Sequence, residues 1–517
     1  MDTPLRPAPR ARDAAAGSRR APRVLVVGAG FGGLTVLRAL LQAGHTDVTV
    51  LERADEVGGV WRDNTYPGAA CDVPSSLYSW SWAPHPSWPR RYSQQPDILD
   101  YVRGVAAAEG LLPHVRTGTA VRRAVFDEGS RTWQVTVETG GRTEVLEADV
   151  LVPAVGQLSQ PVVPALPGLD DFAGPAFHSA RWRHDVDLTG KRVAVVGTGA
   201  SAIQFVPGIV DRVGAMTVFQ RSAPYVVPKP DRAYTRLHGA AFRALPPTQA
   251  FGRGLTRAIS EWLNRSFTHR SVLTPALRAA WEVTLLVQVR DRRLRRRLRP
   301  DYPIGCKRVL FSNDWYPALA REHVEVVTEP VAEVLPHGVR TADGREHAAD
   351  VLVWGTGFAA TRFLETLEVT GVGGADLHEV WGGKAHAHLG LAVPGFPQMF
   401  VVYGPHTNLG GSSIIQMLEA QAGYVVQVVD ALAAGRVECL DVRPEVAEAF
   451  EAEMGSRLAD SVWTQCSNWY NDGGTVSTNW PGLAREYEHR LARVSFTEYH
   501  DLPAQPAVPA RTRETAS

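Results

Sequence analysis

The stretch VLVVGAGFGG at residues 24–33 decides the fold of this chain. Its four leading apolar residues, bounded by Pro22 and Gly28, are typical of a buried parallel strand, and the apolar residues that follow predict a helix. Glycines between a strand and a helix permit a tight turn and let a pyrophosphate approach the helix N-terminus. We therefore predict that Gly28, Gly30 and Gly33 cradle a dinucleotide, because strand, turn and helix occur in the required order.

The next strand supports this interpretation. The apolar run at residues 48–51 ends in Glu52. An acidic residue about 20 positions after such a loop accepts hydrogen bonds from a ribose 2′-hydroxyl. With the complete strand–helix–strand context present, a purely structural glycine turn is a poor alternative.

A second loop, GTGASA at residues 197–202, repeats the pattern with one change of chemistry. The strand after it ends in Gln220 and Arg221, so the acidic residue is missing; counting from the loops aligns Arg221 with Glu52, whereas matching the strands aligns Gln220. An arginine there accommodates the 2′-phosphate of NADP. The alternative is a solvated charge at a strand end. The predicted NADPH-binding residues are Gly197, Gly199, Ser201 and Arg221.

Two loops imply two nucleotide cofactors, FAD at the first and NADPH at the second. The segment at residues 172–182 lies between the loops and carries His178 and Trp182. We predict a linker that moves one cofactor relative to the other, as in an enzyme that uses a nicotinamide to reduce a flavin. His178 is more simply a hydrogen-bonded structural residue on this linker than a proton-transfer group.

Composition excludes several functional classes. The 517 residues suggest about three domains. Lys+Arg and Asp+Glu balance at 54 each, which gives no global preference for nucleic acid or an anionic membrane. No apolar run is long enough for a transmembrane segment. The four cysteines are scattered without a C-x-x-C pair, so we expect reduced thiols, a cytoplasmic location, no disulfide reductase and no metal site.

We predict an α/β fold with two Rossmann-like dinucleotide-binding domains and a helical insertion in the NADPH domain. The insertion is expected at about residues 233–300, where the strand–turn rhythm is lost, and its seven arginines at residues 290–299 are expected to form a solvated helix face. The predicted order is a disordered arm at 1–20, the first part of the FAD domain at 21–160, the NADPH domain at 161–345, the second part of the FAD domain at 346–502, and a tail at 503–517.

Two long patterns identify a family. Phe172, Gly174, His178 and Trp182 form F-x-G-x3-H-x3-W, which resembles the fingerprint of type I Baeyer–Villiger monooxygenases. Residues 58–72 fit a second pattern of the same family, G-G-x-W-x4-Y-P-G-x3-D. Within it, the resemblance implies cofactor binding by Gly59, Trp61 and Tyr66, and catalysis by Asp72.

The resemblance extends over nearly the whole chain, with Arg183 as a departure where the family usually places Pro or Asp. It implies that NADPH reduces FAD and that a C4a-peroxyflavin then inserts one oxygen atom from O2 beside a ketone carbonyl, giving an ester or lactone. Arg308 would stabilise the developing anion. Lys307 would contact the NADP 2′-phosphate, and Trp469 the nicotinamide ribose.

Other interpretations of these residues stay open. By spacing alone, Asp72 is equally a turn-capping aspartate, and Lys307 a surface lysine. A flavin-containing monooxygenase that oxidises sulfur or nitrogen is the nearest alternative, although Trp182 argues against it. A non-enzymatic redox-sensing flavoprotein would have little need for Asp72, Lys307 and Arg308 together. The aromatic stretches at 77–82 and 463–480 favour a hydrophobic ketone as substrate; the oligomeric state is not predicted.

Overall fold

The computed structural model describes residues 20–268, 273–472 and 474–502; the predicted terminal arm (up to residue 19) and tail lie outside these residues. The strands are β1 Val24–Val27, β2 Val48–Leu51, β3 Val115–Arg116, β4 Thr119–Asp127, β5 Thr132–Thr139, β6 Arg142–Ala148, β7 Val150–Pro153, β8 Ala176–His178, β9 Arg192–Val196, β10 Ala215–Phe219, β11 Val226–Val227, β12 Leu310–Phe311, β13 Val324–Val327, β14 Val331–Leu335, β15 Gly338–Thr341, β16 Glu346–Ala348, β17 Val351–Trp354, β18 Glu368–Thr370, β19 Leu440–Val442, β20 Asn471–Asp472, β21 Thr475–Val476 and β22 Tyr499–Asp501. The α-helices are α1 Phe31–Ala43, α2 Val60–Asp63, α3 Gln95–Ala108, α4 Ala202–Ile209, α5 Arg236–Ala244, α6 Pro246–Thr268, α7 Leu273–Gln288, α8 Arg292–Arg297, α9 Trp315–Leu319, α10 Leu377–Trp381, α11 Ile414–Ala433, α12 Pro444–Ala459 and α13 Ala484–Leu491.

The first nucleotide unit is built on a parallel sheet in the order β3-β2-β1-β7. Its strands are short and apolar, and β1 and β7 are fully buried, as expected for a sheet covered on both faces. Helix α1 follows β1 after the glycine turn and packs against α11. The chain therefore returns to this unit after the second one, which the sequence predicts.

The second nucleotide unit is a parallel sheet in the order β13-β10-β9-β17-β8. Strand β17 lies between β9 and β8, so the chain leaves this unit after Trp354. The predicted boundary at residue 345 therefore falls before a strand of the second sheet rather than after it. The division into domains otherwise stays a prediction.

The helical insertion has a defined point of departure and return. Strands β11 and β12 pair in parallel, Val226 with Leu310 and Val227 with Phe311. Between them lie helices α5 to α8, which confirms the predicted helical character of the insertion over its described residues. Trp281 and Leu285 of α7 are buried in the same hydrophobic core as the second sheet, so the insertion is anchored there.

Two further sheets of three or four strands and two antiparallel strand pairs, β19 with β22 and β20 with β21, complete the described architecture. Strands β4, β5 and β6 form an antiparallel meander, with β18 added beside β4. Strands β14, β15 and β16 form a small antiparallel sheet that joins β13 to β17 along the chain. Within the described residues, no helix combines the length and apolar character needed to cross a lipid bilayer.

Candidate active site

The first nucleotide loop, residues 28–33, is closed against the end of β7. Gly28 has φ +102°, and a Cβ there would lie 2.8 Å from the Ala154 carbonyl oxygen. A Cβ on Gly33 would lie 1.8 Å from the Gly28 carbonyl oxygen, so the turn tolerates no side chain at either position. Gly30 faces the turn that contains Gly59: a Cβ on Gly30 would lie 3.6 Å from the Gly59 Cα.

Glu52 is buried directly below this loop. Its Oε2 accepts the Ala29 N–H at 2.8 Å, and its Oε1 accepts the Ala54 N–H at 3.0 Å. Arg62 lies 3.2 Å from Oε1 and balances the buried charge. The carboxylate thus holds the first loop to the end of β2, where the sequence places the ribose-binding acid.

The second nucleotide loop, residues 197–202, has the same frame but a more open surface. Gly197 has φ +108° and closes against the Gly355 carbonyl, whereas a Cβ on Gly199 would meet no atom within 4 Å. Ser201 is the residue before α4. The open space at Gly199 is what the close approach of a phosphate to the helix N-terminus requires.

Two cations lie beside the second loop. Lys307 Nζ donates to the Ser222 hydroxyl at 2.7 Å and lies 4.6 Å from the centre of the Tyr302 ring. Burial lowers the pKa of Lys307, and the positive charge of Arg221 lowers it further. Arg221 itself is exposed. Residues far apart in sequence thus provide two positive charges close enough to repel, an arrangement that a phosphate dianion would relieve.

Arg308 and Asp72 form a bidentate ion pair. Arg308 Nε donates to Asp72 Oδ2 and Nη2 donates to Oδ1, each at 3.0 Å. Each side chain is one-quarter exposed, so the pair remains partly accessible. The Asp72 carboxylate raises the pKa of Arg308 above its usual value. Because Asp72 lies in the first unit and Arg308 follows the helical insertion, the pair joins distant parts of the chain.

Lys229 is a neighbour of this pair that the sequence analysis missed. Its Nζ donates to the Cys71 carbonyl oxygen at 3.0 Å, beside Asp72, and lies 5.1 Å from the centre of the Tyr92 ring. Burial lowers the pKa of Lys229, while the negative charge of Asp72 opposes that shift. The only sequence signal was its position directly after the family-like Val-Val-Pro at residues 226–228.

Tyr66, predicted to bind cofactor, lies where the two units meet. Its hydroxyl donates to Gln204 Oε1 on α4 at 3.1 Å, and the Ala70 N–H donates to the same oxygen at 3.2 Å. A Cβ on Gly68 would lie 2.7 Å from the Gln204 carbonyl oxygen. The motif therefore docks the first unit onto the helix of the second loop, a role that the sequence analysis did not foresee for Gln204.

Trp61 and Trp469 are held differently. Trp61 Nε1 donates to the Tyr78 hydroxyl at 3.0 Å, and the two rings meet edge to face. Trp469 remains 37% exposed and packs on Tyr470, with ring centroids 4.1 Å apart. Tyr470 is buried and interacts electrostatically with Arg308. Trp469 therefore lies near the ion pair with much of its ring free for contact.

The linker fingerprint is packed into the second unit. A Cβ on Gly174 would lie 2.3 Å from the Asp350 carbonyl oxygen, and Trp182 packs against Phe205 of α4. His178 ends β8; its Nδ1 accepts the Ala180 N–H at 3.0 Å, and its buried Nε2 has no hydrogen-bond partner among the described residues. Burial lowers the pKa of His178 to about 4. Its ring is therefore neutral near pH 7, as a structural role requires. Phe172, the first residue of the fingerprint, packs against the core beside β14 and β15.

Two of the four cysteines form a disulfide, which the sequence analysis did not predict. Cys306 and Cys466 are joined with an S–S distance of 2.06 Å, whereas Cys71 and Cys439 are free and buried. The expectation of four separate thiols was wrong, because 160 residues of sequence separation hid their spatial proximity. The bond ties the loop before Lys307 to the segment before Trp469, and the cysteine pattern therefore gives no support for a reduced setting.

The aromatic stretches proposed to line a substrate cavity mostly fill the core instead. Trp80, Trp463 and Trp480 are each at most 2% exposed. Trp80 donates through Nε1 to Thr35 of α1, so its ring is fixed inside the first unit. The rings near Arg308 are those of Tyr403 and Tyr470. Burial raises the pKa of Tyr403 to about 12.

The residues around both loops fit two dinucleotides. Around the N-terminal end of α11, which packs against α1, some buried polar atoms have no partner among the described residues: Ser412 Oγ and both amide atoms of Gln416. Buried polar groups are normally hydrogen-bonded, so these atoms indicate a polar ligand beside the first loop. The open face of Gly199 and the two cations beside it provide the second site. Within the described residues, no group of side chains could hold a metal ion.

Comparison with known proteins identifies the family. Residues 21–237 match the family model described as flavin-binding monooxygenase-like. A Baeyer–Villiger monooxygenase of Streptomyces coelicolor is 44% identical, with 94% of this chain and 93% of the relative aligned. A Baeyer–Villiger monooxygenase of Pseudomonas aeruginosa is 36% identical, with 92% and 91% aligned.

Solved structures agree with these relatives. An oxidised steroid monooxygenase bound to NADP superimposes with a TM-score of 0.83 and 32% identity, covering 93% of this chain and all of the other. A cyclohexanone monooxygenase from Rhodococcus sp. Phi1 bound to NADP+ gives a TM-score of 0.83 and 27% identity, covering 93% and 99%. Relatives that align along more than nine-tenths of its length show that this chain belongs to the Baeyer–Villiger monooxygenases, within the flavin-binding monooxygenase-like family.

Proposed function

We propose that this Baeyer–Villiger monooxygenase acts on a hydrophobic ketone and that Arg308 and Asp72 form its catalytic centre. The enzyme uses FAD and NADPH, and its reaction inserts one oxygen atom beside a carbonyl to give an ester or lactone. When bound and reduced by NADPH, FAD would provide the chemistry that activates O2 for this insertion. The observation that carries the proposal is the bidentate, partly exposed Arg308–Asp72 pair.

Arg308 provides a permanent positive charge for the reaction. Addition of an oxygen nucleophile to a ketone places negative charge on the former carbonyl oxygen. A preorganised donor at such an oxygen typically lowers the barrier by about 3–4 kcal/mol. Two parallel hydrogen bonds to Asp72 fix the plane of the guanidinium, so Arg308 does not need to reorganise as that charge develops.

The two loops hold the cofactors in this proposal. Gly28, Gly30 and Gly33 admit the FAD pyrophosphate. Glu52 Oε1 and Oε2 each accept a backbone N–H, Arg62 also lies at Oε1, and Oε2 retains a lone pair for the adenosine ribose. The ring of Trp61, fixed by Tyr78, packs beside the flavin, and Gly59, whose missing Cβ would lie 3.0 Å from Gly30 Cα, lets its turn approach the first loop.

The second site selects NADPH. Gly197, Gly199 and Ser201 receive the pyrophosphate, and Lys307 and Arg221 bind the 2′-phosphate. Tyr66 couples this site to the first by its bond to Gln204. Trp469 contacts the nicotinamide ribose with its exposed ring.

The linker positions the two cofactors relative to each other. Phe172 and Gly174 hold it to the second unit, and Trp182 packs onto α4. His178 acts as a positioning residue, because its ring is neutral and its Nε2 is free to bond in another domain arrangement. Arg183 pairs with Asp185 on the surface and takes no part in this packing.

The substrate proposal is tested by product analysis with ¹⁸O2. The FAD-loaded enzyme and NADPH are supplied separately with a cyclic ketone, an aryl ketone, a sulfide and a tertiary amine. We expect one labelled oxygen in an ester or lactone, with ketone-dependent NADPH consumption. Labelled sulfoxide or N-oxide with no ester from any ketone would instead favour a sulfur- or nitrogen-oxidising enzyme. A cytoplasmic location, where NADPH is regenerated, is part of the proposal and is tested by cell fractionation.

A further inference from the structure

Exposed apolar side chains concentrate in the helical insertion. Among the described residues, fifteen large hydrophobic side chains are exposed, and nine of them lie between residues 237 and 287. Isolated exposed apolar residues need no explanation, whereas a concentration of them marks an interaction surface. The insertion therefore exposes more large apolar side chains than the remaining described surface. Its anchoring to the second unit does not require these exposed side chains.

Helix α6 is oriented with its polar side toward the protein. Arg253 donates to the Ser76 and Ser79 carbonyl oxygens at 2.8 and 3.0 Å, and Arg257 pairs with Glu488 at 2.7 Å. Residues four apart share one face of a helix, so these two arginines define the inner face of α6.

The opposite side of α6 is apolar and open. Phe251 is 74% exposed, Leu255 53% and Ile259 47%. These residues are also spaced by four and lie about half a turn from Arg253 and Arg257. A soluble helix normally buries such a stripe against its own core. Here the hydrogen bonds of Arg253 and Arg257 fix the rotation of α6 about its axis, so its apolar stripe is held outward.

Helix α7 also has a buried side and an exposed apolar side, and its C-terminal end is followed by a cluster of arginines. Leu285 is buried, whereas Val283 is 59% and Val287 73% exposed. Arg290 lies two residues beyond the end of α7, and Arg292 and Arg293 are the first two residues of α8. Only two residues separate Val287 from Arg290, which keeps apolar and basic side chains within about 11 Å along the chain.

The arginines of the insertion far outnumber its acids. Residues 236–299 contain fourteen arginines and only Glu261, Glu282 and Asp291 as acidic residues, although the whole chain is neutral. In the part of the chain that the structure describes, Arg290, Arg292, Arg293 and Arg296 are exposed and have no acidic side chain within 4 Å. This local excess is hidden in the balanced overall composition.

We propose that this face of the helical insertion docks onto an anionic lipid bilayer. Apolar side chains on the outward side of a helix, accompanied by many arginines, have the chemistry of interfacial helices that bury one face at the boundary of lipid headgroups and acyl chains. Each arginine near an anionic surface contributes favourably. A second copy docking through the same face would oppose two strongly positive surfaces, so the charge favours lipid.

The experiment is sedimentation of the FAD-loaded full chain with vesicles. Vesicles of phosphatidylcholine alone are compared with vesicles of equal parts phosphatidylcholine and phosphatidylglycerol. We expect binding to the anionic vesicles, weakened by added salt, and little binding to the neutral ones. Arg292→Gln with Arg293→Gln should lower the partition coefficient about 30-fold. Phe251→Ser with Leu255→Ser should lower it at least about tenfold.

Matched controls separate this surface from general effects. Arg122→Gln with Arg123→Gln changes two adjacent exposed arginines in the antiparallel meander. Leu112→Ser with Val145→Ser removes two exposed apolar side chains of the first unit. Both controls should bind vesicles like the unaltered chain, and every variant should retain its flavin absorbance and NADPH oxidation without lipid.

Three results would overturn the proposal. The first is no sedimentation with anionic vesicles at low salt. The second is equal loss of binding in the control variants. The third is self-association of the chain, abolished by Phe251→Ser with Leu255→Ser and unaccompanied by vesicle binding, which would assign the face to a second copy.

Discussion

The two nucleotide loops share a strand–turn–helix frame but end their second strands with opposite chemistry. Glu52 after β2 is buried, negatively charged and bonded to the N–H groups of its own unit. Gln220 occupies the equivalent place after β10. The Gly28 N–H donates to the carbonyl oxygen of Leu51, just before Glu52, and the Gly197 N–H donates in the same way to Phe219, just before Gln220. Gln220 donates to the Arg297 carbonyl oxygen at 2.7 Å, at the base of the helical insertion.

This contrast suggests a physical basis on which one structural frame distinguishes two cofactors. In the first unit a single buried acid bonds to the loop, whereas in the second the charges that we propose to discriminate come from elsewhere: Arg221 follows the strand, and Lys307 follows the insertion. The second site is therefore assembled from distant segments. Substitutions should therefore remove the selectivity of the second site more easily than that of the first. Substitutions at the links between the two units should have larger effects than substitutions at either loop.

The largest effect is expected at the link between the units. Arg308→Ala removes the proposed oxyanion donor and leaves Asp72 without its partner. Ketone oxygenation should fall at least about 10²- to 10³-fold, while FAD remains bound because Arg308 contacts neither loop. Product formation and flavin absorbance measure the two effects. Arg308→Lys, which retains charge but cannot form the bidentate pair, should recover only part of the activity.

A uniform loss of FAD binding and oxygenation in Arg308→Ala would contradict this separation, because Arg308 would then be structural. Asp72→Asn is the companion variant. It keeps the shape of the side chain and removes its charge, so it should slow oxygenation less than Arg308→Ala does.

The second link is the disulfide. Replacing both Cys306 and Cys466 by serine should lower the free energy of unfolding by about 2–4 kcal/mol, because the bond closes a long loop in the unfolded chain. Thermal unfolding of the FAD-loaded variant measures the loss, and dithiothreitol should reproduce it in the unaltered protein. Thiol titration of the unfolded, unreduced protein should detect Cys71 and Cys439 alone. Four reactive thiols would show that the bond is absent.

The third prediction sets the two loops against each other. Lys307→Ala with Arg221→Ala should reduce kcat/KM for NADPH at least about tenfold, because a charge-assisted hydrogen bond contributes about 1.5–3 kcal/mol. The value for NADH should change little, since NADH lacks the 2′-phosphate. Steady-state oxidation of the two nicotinamides measures the ratio.

Glu52→Gln is the crossed control for the third prediction. It removes the charge that balances Arg62 in the first unit, so FAD retention should weaken while the NADPH-to-NADH ratio stays constant. Equal losses with NADPH and NADH in the Lys307 and Arg221 variant would disprove the assignment of these residues to the 2′-phosphate.

The sequence predicted the frame of both units because that information is local. Strands Val24–Val27 and Arg192–Val196 lie where the apolar runs end in glycine turns, and the insertion is helical as expected. Contacts between distant segments left no such signal. Gln204 on α4, which binds the Tyr66 motif, and Lys229 beside Asp72 belong to this class.

Burial was the other property that one sequence did not reveal. Aromatic clustering around Trp80 suggested a cavity, but its Nε1 finds a partner in Thr35, and the ring is better satisfied in the core. The disulfide and the outward face of α6 were missed for related reasons, since pairing and orientation depend on the packed molecule.

The smallest effect is expected at His178, on the linker. His178→Ala should slow flavin reduction by NADPH a few-fold, on the order of 1 kcal/mol, and raise the hydrogen peroxide formed per NADPH. Stopped-flow reduction and peroxide release measure both, and unchanged values would contradict the positioning role.

Burial lowers the pKa of His178 to about 4, so its neutral ring should cause no step in the reduction rate between about pH 6 and 8. Since the unfolded chain binds this proton near pH 6.5 and the folded one only near 4, acidification through that window should destabilise the unaltered protein more than His178→Ala.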